Sequence, residues 1–264
     1  MLQLAPALKH FSIHKDQFLV RFAASVEELE QAARVRFHVF NRELQAGLHA
    51  SLALGKDQDQ YDEHCHHLIL LDQSANKIIG TYRMQTAEIA RQYHGFYSSQ
   101  EFDLGTIPGH VMAHAVEIGR ACILKEHRNW RTFWLLWQGI AAYLRHYQKH
   151  YLFGCSSLMS RDIAQGYALM VHFKTHDLLH KDFLVYPRKK YQCTAAQDAM
   201  DGTAKVDIKP AALTLPKLLQ LYLKFGARIC SDPALDQEFG SIDFFTIFNI
   251  HHIQKKHSPF YAGT

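Results

Sequence analysis

The feature that most constrains the fold is a strand, a polar turn and a long helix that follow one another from residue 116 to residue 147. The strand, Val116–Ile123, is an apolar run that carries two charged residues, Glu117 and Arg120. In the helix, apolar residues recur at helical spacing and form one stripe. The stripe consists of Phe133, Leu136, Trp137, Ile140, Leu144 and Tyr147. A strand that leads into such a helix predicts a sheet with a helix packed on its face.

Basic residues occupy the turn where this helix begins. Arg128 and Arg131 lie at the predicted helix start, and a second basic group, Arg188-Lys189-Lys190, follows later in the chain. Free backbone N–H groups and the helix dipole favour an anion at a helix start. These residues therefore predict either a docking site for a phosphate-bearing ligand or a solvated, charged surface.

The remaining pattern predicts a mixed α/β fold with helices on the faces of one sheet. Two strands, His66–Leu71 and Lys77–Gln85, are joined by a short polar loop and predict a hairpin. Strands and helices then alternate along the chain. We interpret the 264 residues as a single domain with three parts: a flexible arm over 1–16, a core over 17–195, and an extension over 196–264 packed on the core.

Composition narrows the class of protein. Hydrophobic residues make up 48% and charged residues 20%, as in an ordinary globular protein without a membrane span. Residues 1–14 lack the pattern of a secretory signal, and five scattered cysteines predict free thiols in the cytoplasm. The formal net charge of +4 does not indicate nucleic acid. It suits an acidic protein partner or peripheral contact with the anionic inner face of the cytoplasmic membrane.

Three aspartates lie close together in a polar loop, at Asp57, Asp59 and Asp62. Carboxylates at this spacing repel one another, so a compact arrangement requires a cation or an arginine. The loop therefore predicts a site for a substrate amine, a set of ion pairs with Arg36, Arg83 or Arg120, or only a solvated surface.

Glu117 stands in an apolar strand together with nearby arginines. Arg83 and Arg120 also interrupt apolar strand patterns, and buried arginines normally have a partner. One interpretation is a general base held in a dry cleft by charges that orient it. The other interpretation is a structural ion-pair network in the sheet.

Two further patterns predict neither a metal site nor a catalytic nucleophile. The run His64-Cys65-His66-His67 does not predict a metal site, because adjacent histidines on a strand point to opposite faces. Cys155-Ser156-Ser157 lacks the Gly-x-Ser-x-Gly turn of a serine nucleophile.

Trp134 lies off the helix stripe and is free to line an acyl-chain slot or to face a membrane.

Taken in order, several short segments resemble the lyso-ornithine-lipid N-acyltransferases. The segments are Arg36–Phe40, Asp57–Leu68, Gly80–Met84, Tyr97–Phe102, Glu117–Arg120, Leu152–Ser157 and Leu215–Ala227, followed by Asp236, Phe239-Gly240 and Asp243. That family is a branch of the GNAT superfamily, once labelled haemolysin-like, and is similar to acyl-homoserine-lactone synthases. The resemblance implies a GNAT-like, mostly antiparallel twisted sheet with helices on both faces, and it covers about residues 18 to 250.

The resemblance also implies an activity. The chain is expected to move a (3-hydroxy)fatty acyl group from an acyl carrier protein thioester to the α-amine of ornithine, giving lyso-ornithine lipid. Arg128–Phe133 stands where acyl-coenzyme A enzymes have a glycine-rich loop, which favours the carrier protein's phosphopantetheine as donor. We expect no permanently bound cofactor.

Site roles follow from the same resemblance. The catalytic group is Glu117 with Arg120 and Arg83; the acceptor group is Asp57, Asp59, Asp62 and Arg36; the donor and carrier group is Arg128, Arg131, Arg188, Lys189 and Lys190; the acyl pocket is Trp134 and Phe153. Three alternatives remain: a lactone synthase-like enzyme, an N-acyltransferase for another amino acid, and a non-catalytic, membrane-associated binding module.

Overall fold

A computed structural model describes residues 11–193 and 215–252. Among these residues, nine strands form one sheet in the order β1-β2-β3-β4-β6-β7-β11-β10, with β9 beside β11. Its strands are β1 (Ser12–Lys15), β2 (Phe18–Phe22), β3 (His66–Asp72), β4 (Lys77–Thr86), β6 (Ala115–Ile123), β7 (Tyr151–Leu158), β9 (Arg228–Ile229), β10 (Ala234–Asp236) and β11 (Ser241–Asn249). Two short strands, β5 (Phe102–Asp103) and β8 (Tyr186–Pro187), pair separately.

Helices cover both sides of this sheet. They are α1 (Val26–Phe37, continued as a π-helix over His38–Glu43), α2 (Ala50–Leu54), α3 (Ala87–Gln92), α4 (Gly109–Ala113), α5 (Trp130–His146), α6 (Ile163–Thr175) and α7 (Lys217–Lys224). The described pairs in the sheet are antiparallel except for β6 with β7. The predicted mixed α/β fold is therefore confirmed.

The two faces of the sheet carry different residues, because side chains alternate along each strand. We call the face that bears Glu117 and its neighbour Phe153 the front face, and the face that bears Leu152 and its neighbour Phe248 the back face. Arg36 of α1 contacts His67 on the front face. On the back face, α5 is so close to β2 and β3 that a side chain at Gly139 would meet Leu68 and Val20.

Segments near both ends of the described chain contribute to the sheet. Ser12–Lys15 forms β1, so the prediction of a flexible arm is wrong for these four residues; their cross-strand partners in β2 hold them. Residues 1–10 lie outside the described part of the chain. In the predicted extension, β11 pairs with β7 from Ile242 to Asn249 and continues the sheet.

The sheet opens between its two parallel strands. β6 and β7 pair only from Ala115 to Glu117, although both strands continue well beyond that point. Further along β6, a register shift and a positive φ of 49° at Arg120 mark a bulge opposite Tyr82. The bulge increases the twist of β6 and turns it away from β7. A gap therefore crosses the sheet beyond Glu117.

A glycine closes the narrow end of this gap. A Cβ built on Gly154 would lie 2.2 Å from the carbonyl oxygen of Ile118, which is backbone and cannot move aside easily. We expect Gly154→Ala to force the strands apart, to lower the free energy of unfolding by about 1–3 kcal/mol and to reduce activity. Thermal unfolding and kcat/KM measure the two effects.

The matched control is Gly119→Ala. Gly119 lines the same gap from β6, and its Cβ would meet nothing within 4 Å. Equal losses for the two variants would contradict a role for the close approach at Gly154.

Candidate active site

The gap between β6 and β7 is the centre of a large cavity. Its volume is about 610 Å³, within the range of about 300–1,000 Å³ typical of small-molecule sites. On the back face it is lined mainly by apolar groups from α5 and α7, namely Trp130, Phe133, Trp137, Leu218 and Tyr222. On the front face it is lined by polar groups, among them Tyr97, Ser98, Glu117 and Asp243. The cavity therefore joins an apolar compartment to a polar one through the sheet.

Glu117 is the carboxylate at the centre of this cavity. It is 5% exposed and accepts four hydrogen bonds. Ser98 donates to Oε1 from both its N–H (2.7 Å) and its Oγ (2.6 Å). The N–H of Tyr97 (2.9 Å) and Nε2 of Gln85 (2.6 Å) donate to Oε2. These hydrogen-bond donors fix the carboxylate of Glu117 in one orientation on the polar side of the cavity.

Three arginines and three aspartates form a closed, buried network beside Glu117, which we call the arginine–aspartate network. Its closest ion pairs are Arg36–Asp57 at 3.0 Å, Arg36–Asp62 at 2.8 Å, Arg83–Asp59 at 2.5 Å, Arg83–Asp62 at 3.1 Å, Arg120–Asp57 at 3.1 Å and Arg120–Asp59 at 3.1 Å. Burial opposes ionisation, yet Arg36 and Arg83 hold the pKa of Asp62 below its ordinary value.

This network decides between the interpretations of the aspartate loop. Each of the three carboxylates is paired with arginines, so none has a free charge for a substrate amine. The structure therefore gives Asp57, Asp59, Asp62 and Arg36 the predicted ion-pair role and not the acceptor-binding role. Arg83 and Arg120 line the cavity, but within the described residues neither forms an ion pair with Glu117.

Tyr97 connects the network to Glu117. Its ring lies below the guanidinium groups of Arg120 and Arg83, at 4.9 and 5.5 Å, while its N–H donates to Glu117. Cation–π contacts of this kind stabilise buried arginines. Arg83 and Arg120 therefore position the segment that holds Glu117 and act on it indirectly.

The histidine run has structural partners. Burial lowers the pKa of His66 and of His67 to about 4, so both rings are neutral near pH 7. His67 Nε2 lies 3.1 Å from the Asp62 carbonyl on the front face, and His66 Nδ1 lies 2.8 Å from Tyr143 Oη on the back face. The two rings point to opposite faces, as the sequence predicts.

The start of α5 lies at the back-face end of the cavity. Asn129 caps the helix, and Arg128 lines the cavity while it pairs with Glu43 at 2.7 Å. Arg131 pairs with Asp16 and does not line the cavity. Lys217, at the start of α7, lines the cavity beside them and is exposed; sequence reasoning missed it because only the fold brings α7 to α5.

The second basic group lies elsewhere. Arg188 donates from Nε to the Ser99 carbonyl and from its N–H to the Glu101 carbonyl, so it holds the segment that precedes β5. That segment packs on the front face, where Phe102 contacts Phe245. Lys189 and Lys190 follow and are exposed. The predicted donor residues are thus divided between the two faces of the sheet.

The predicted acyl-pocket residues differ in position. Phe153 lines the cavity and is 1% exposed. Trp134 does not line it; its ring stacks on Trp130 with the centroids 5.4 Å apart. Trp130 lines the cavity and is 55% exposed. One helical turn separates the two indoles, and Trp130 rather than the predicted Trp134 lines the cavity.

A second group of carboxylates, to which the sequence analysis gave no site role, consists of Glu101, Asp236 and Asp243; we call it the acidic cluster. Their oxygens lie within 4.8 Å of one another, and all three residues are buried. Asp243 lines the cavity. The available signal was a lone aspartate within the apolar run Ile242–Ile250.

Two findings concern the whole described chain. All five cysteines are free thiols, as predicted. No helix among residues 11–193 and 215–252 is both long and apolar enough to cross a membrane.

Comparison with known proteins identifies the family. Residues 35–138 match the acetyltransferase (GNAT) domain family. The chain is 31% identical to the L-ornithine N(alpha)-acyltransferase of Agrobacterium fabrum, over 92% of this chain and 84% of that protein. It is 32% identical to the enzyme of the same name from Brucella abortus, over 92% and 88%.

Among solved structures, an N-acyl amino acid synthase from uncultured soil microbes has a TM-score of 0.47 with this chain, at 9% identity over 89% of this chain and 91% of that one. The sequence relatives confirm the resemblance seen in the motifs: the protein is a GNAT-fold acyltransferase and belongs to the L-ornithine N(alpha)-acyltransferase family.

Proposed function

We propose that this protein transfers a (3-hydroxy)fatty acyl group from the thioester of an acyl carrier protein to the α-amine of ornithine, giving lyso-ornithine lipid. The observation that carries the proposal is the cavity that crosses the sheet, apolar on its back face and polar on its front face. The family relatives, named for ornithine acylation, support the choice of acceptor. The acyl chain occupies the apolar compartment, and the amino acid occupies the polar one.

The reaction needs a neutral amine and a place for negative charge. An α-amine in a peptide has a pKa of about 8, so a carboxylate that accepts its proton has a modest task near pH 7. Glu117 lies at the boundary between the two compartments and takes this proton directly or through a water. The amine nitrogen then bonds to the thioester carbon. As the intermediate collapses, the carbon–sulfur bond breaks and the second proton of the nitrogen passes to the departing thiolate, which gives the amide and the free phosphopantetheine thiol.

The thioester oxygen becomes negative as the intermediate forms. Beyond Glu117, β6 and β7 no longer pair, and both strands line the cavity from Ile118 and from Gly154 onwards. Backbone N–H groups that face the gap are therefore positioned to donate to this oxygen. Each such donor is typically worth about 3–4 kcal/mol of barrier lowering.

The donor enters from the back face. There Trp130, Lys217 and Arg128 line the cavity, and all three are exposed, which marks an opening at the start of α5. Positive charge and a helix start together favour the phosphate of phosphopantetheine. The carrier protein, which is acidic, then lies over the same opening.

Charge reversal tests this entry site. We expect Lys217→Glu to raise the apparent KM for the acyl carrier protein by about one order of magnitude at low salt and to weaken the salt dependence of that KM. The matched control is Lys224→Glu, on the same short helix but outside the cavity lining. If Lys189→Glu with Lys190→Glu raises KM and Lys217→Glu does not, the carrier docks on the front face.

The proposed reaction is tested directly with purified components. The protein is incubated with 3-hydroxyacyl carrier protein and ornithine, and the products are identified by mass spectrometry. Parallel reactions replace the donor by acyl-coenzyme A, replace ornithine by glycine, serine or glutamine, or add S-adenosylmethionine. We expect Nα-acylated ornithine from the carrier-protein donor; consumption of S-adenosylmethionine or acylation of another amino acid in preference would contradict the proposal.

A further inference from the structure

The acidic cluster has no counter-charge. Glu101, Asp236 and Asp243 are 1%, 5% and 3% exposed, and within the described residues none of them forms an ion pair. The arginine–aspartate network on the same face differs, since each of its aspartates contacts arginines. Buried carboxylates without a cation are costly to ionise. The carboxylates of the acidic cluster therefore require a proton or a cation for their stability.

Three oxygens of the cluster have no hydrogen-bond partner of regular geometry among the described residues, although Glu101 and Asp243 are close enough to share a proton. They are Oε1 and Oε2 of Glu101 and Oδ1 of Asp243. The other oxygens are used: Asp236 Oδ1 accepts from the N–H groups of Glu238 and Phe239, and Asp243 Oδ2 accepts from Ser241 Oγ at 3.0 Å. A primary ammonium group carries three N–H donors and a positive charge. It matches the three open oxygens in number and in sign.

The cluster lies at the front end of the cavity. Asp243 pairs with Ser157 across β7 and β11, and Glu117 pairs with Phe153 across β6 and β7. The four side chains share the front face, and Asp243 and Glu117 both line the cavity. Four residues of β7 separate the two positions, a rise of about 13 Å. An extended amino acid with amines at both ends, together with the two acidic side chains, spans this length.

We infer that the acidic cluster binds the side-chain ammonium of the acceptor while its α-amine faces Glu117, so that Glu101 and Asp243 make the enzyme select a diamino acid. The inference rests on the proposed function and assigns the acceptor's second amine. Asp236 holds the turn to Gly240 through its backbone contacts and brings its carboxylate alongside.

The raised pKa values of the cluster's carboxyl groups agree with this role. Burial, together with the charges of Asp243 and Asp236, raises the pKa of Glu101 well above its ordinary value. Burial also raises the pKa of Asp243 to about 6. The raised pKa values favour a protonated carboxyl in the cluster when no cation is bound, and an arriving ammonium favours loss of that proton. Acceptor binding should therefore release protons.

The test compares ornithine with norvaline, which has the same carbon skeleton but no side-chain amine. We expect wild-type protein to have a much higher kcat/KM for ornithine. Asp243→Asn and Glu101→Gln should each reduce the ratio of the two values by on the order of 100-fold. The control Asp232→Asn, an exposed aspartate that precedes β10, should leave the ratio unchanged. A ratio unchanged in all variants would overturn the inference.

A binding measurement separates this inference from the proposed reaction. Calorimetric titration of the whole protein with ornithine, without acyl donor, in two buffers of different ionisation enthalpy counts the protons released. We expect release in wild type, less in Asp243→Asn, and none with norvaline. Equal release with both amino acids would overturn the inference even if ornithine is acylated, whereas release without any acyl transfer would overturn only the proposed reaction.

The same variants reveal a metal site if one is present. Should Mg²⁺ or Ca²⁺ alone raise the Tm of wild type but not of Asp243→Asn, while ornithine preference survives in the variant, the cluster binds a divalent cation and the inference is wrong. We do not expect the Asp243→Asn variant to lose its fold. Asp243→Asn removes a buried negative charge that has no counter-charge among the described residues, so its Tm at pH 8 should be at least that of wild type.

Discussion

Glu117→Gln is expected to lower kcat by about 10²–10⁴-fold at pH 7, the usual contribution of a general base. The physical reason is that Glu117 lines the cavity between the apolar and the polar compartment, where we propose that the amine meets the thioester. The substitution also replaces an oxygen that accepts hydrogen bonds by an NH₂ group that faces donors. A loss of activity alone would therefore not separate chemistry from structure.

The pH profile of the variant makes that separation. Without a base, the reaction depends on the fraction of amine that is already neutral, so activity should rise with pH until the amine's own pKa is passed. That pKa is about 8 for an α-amine in a peptide and higher in a free amino acid. A structural defect would reduce activity equally at all pH values. The matched control is Ser98→Ala, which removes one of the four donors but keeps the carboxylate, and it should cost less than tenfold. Unchanged activity in Glu117→Gln would remove Glu117 from the mechanism.

Arg36→Met is expected to lower the free energy of unfolding by about 3–5 kcal/mol, the usual cost of leaving a buried charge unpaired. Arg36 is 1% exposed and contacts both Asp57 and Asp62. The control lies two residues earlier on α1: Arg34 has a side chain 64% exposed, its nearest ion pair with Glu30 is at 4.0 Å, and Arg34→Met should cost about 0–1 kcal/mol. Urea unfolding of both variants measures the difference; similar small costs would contradict the buried network.

The same network fixes the response to acid. Although burial would raise them, the arginines hold the pKa values of Asp59 and Asp62 below their ordinary range. A carboxyl group with a lowered pKa stabilises the fold above its unfolded value, about 3.9, and this stability is lost as the pH falls below it. Wild type should therefore lose stability below about pH 4, and Arg36→Met should lose less over the same interval.

Local pattern was sufficient for the elements that carry the site. The strand with Glu117 and the helix behind it were predicted within a few residues, because apolar periodicity and the turn at Asn129 are local properties. A cleft around Glu117 was one of the two interpretations of the sequence, since a carboxylate in an apolar strand needs special surroundings; the other was an ion-pair network. The bulge at Arg120 was not predicted, because it depends on pairing with β4.

The contacts between distant segments could not be predicted from the sequence. Spacing left the aspartate loop with two functional interpretations, and only the approach of α1, β4 and β6 gave each aspartate its arginines. Glu101 and Asp243 are 142 positions apart in the sequence. Lys217 lies beside the start of α5, although α5 comes much earlier in the chain. The residues that the sequence could not assign are those that the fold brings in from distant segments.

Lipid mass spectrometry of a bacterial host that makes 3-hydroxyacyl carrier protein but no ornithine lipid tests the central claim most directly. Cells that express wild type should accumulate an amide of a 3-hydroxy fatty acid with the α-nitrogen of ornithine, and cells that express Glu117→Gln at equal protein level should contain far less. Absence of any new acylated amino acid in cells with folded wild-type protein and available donor would contradict the account.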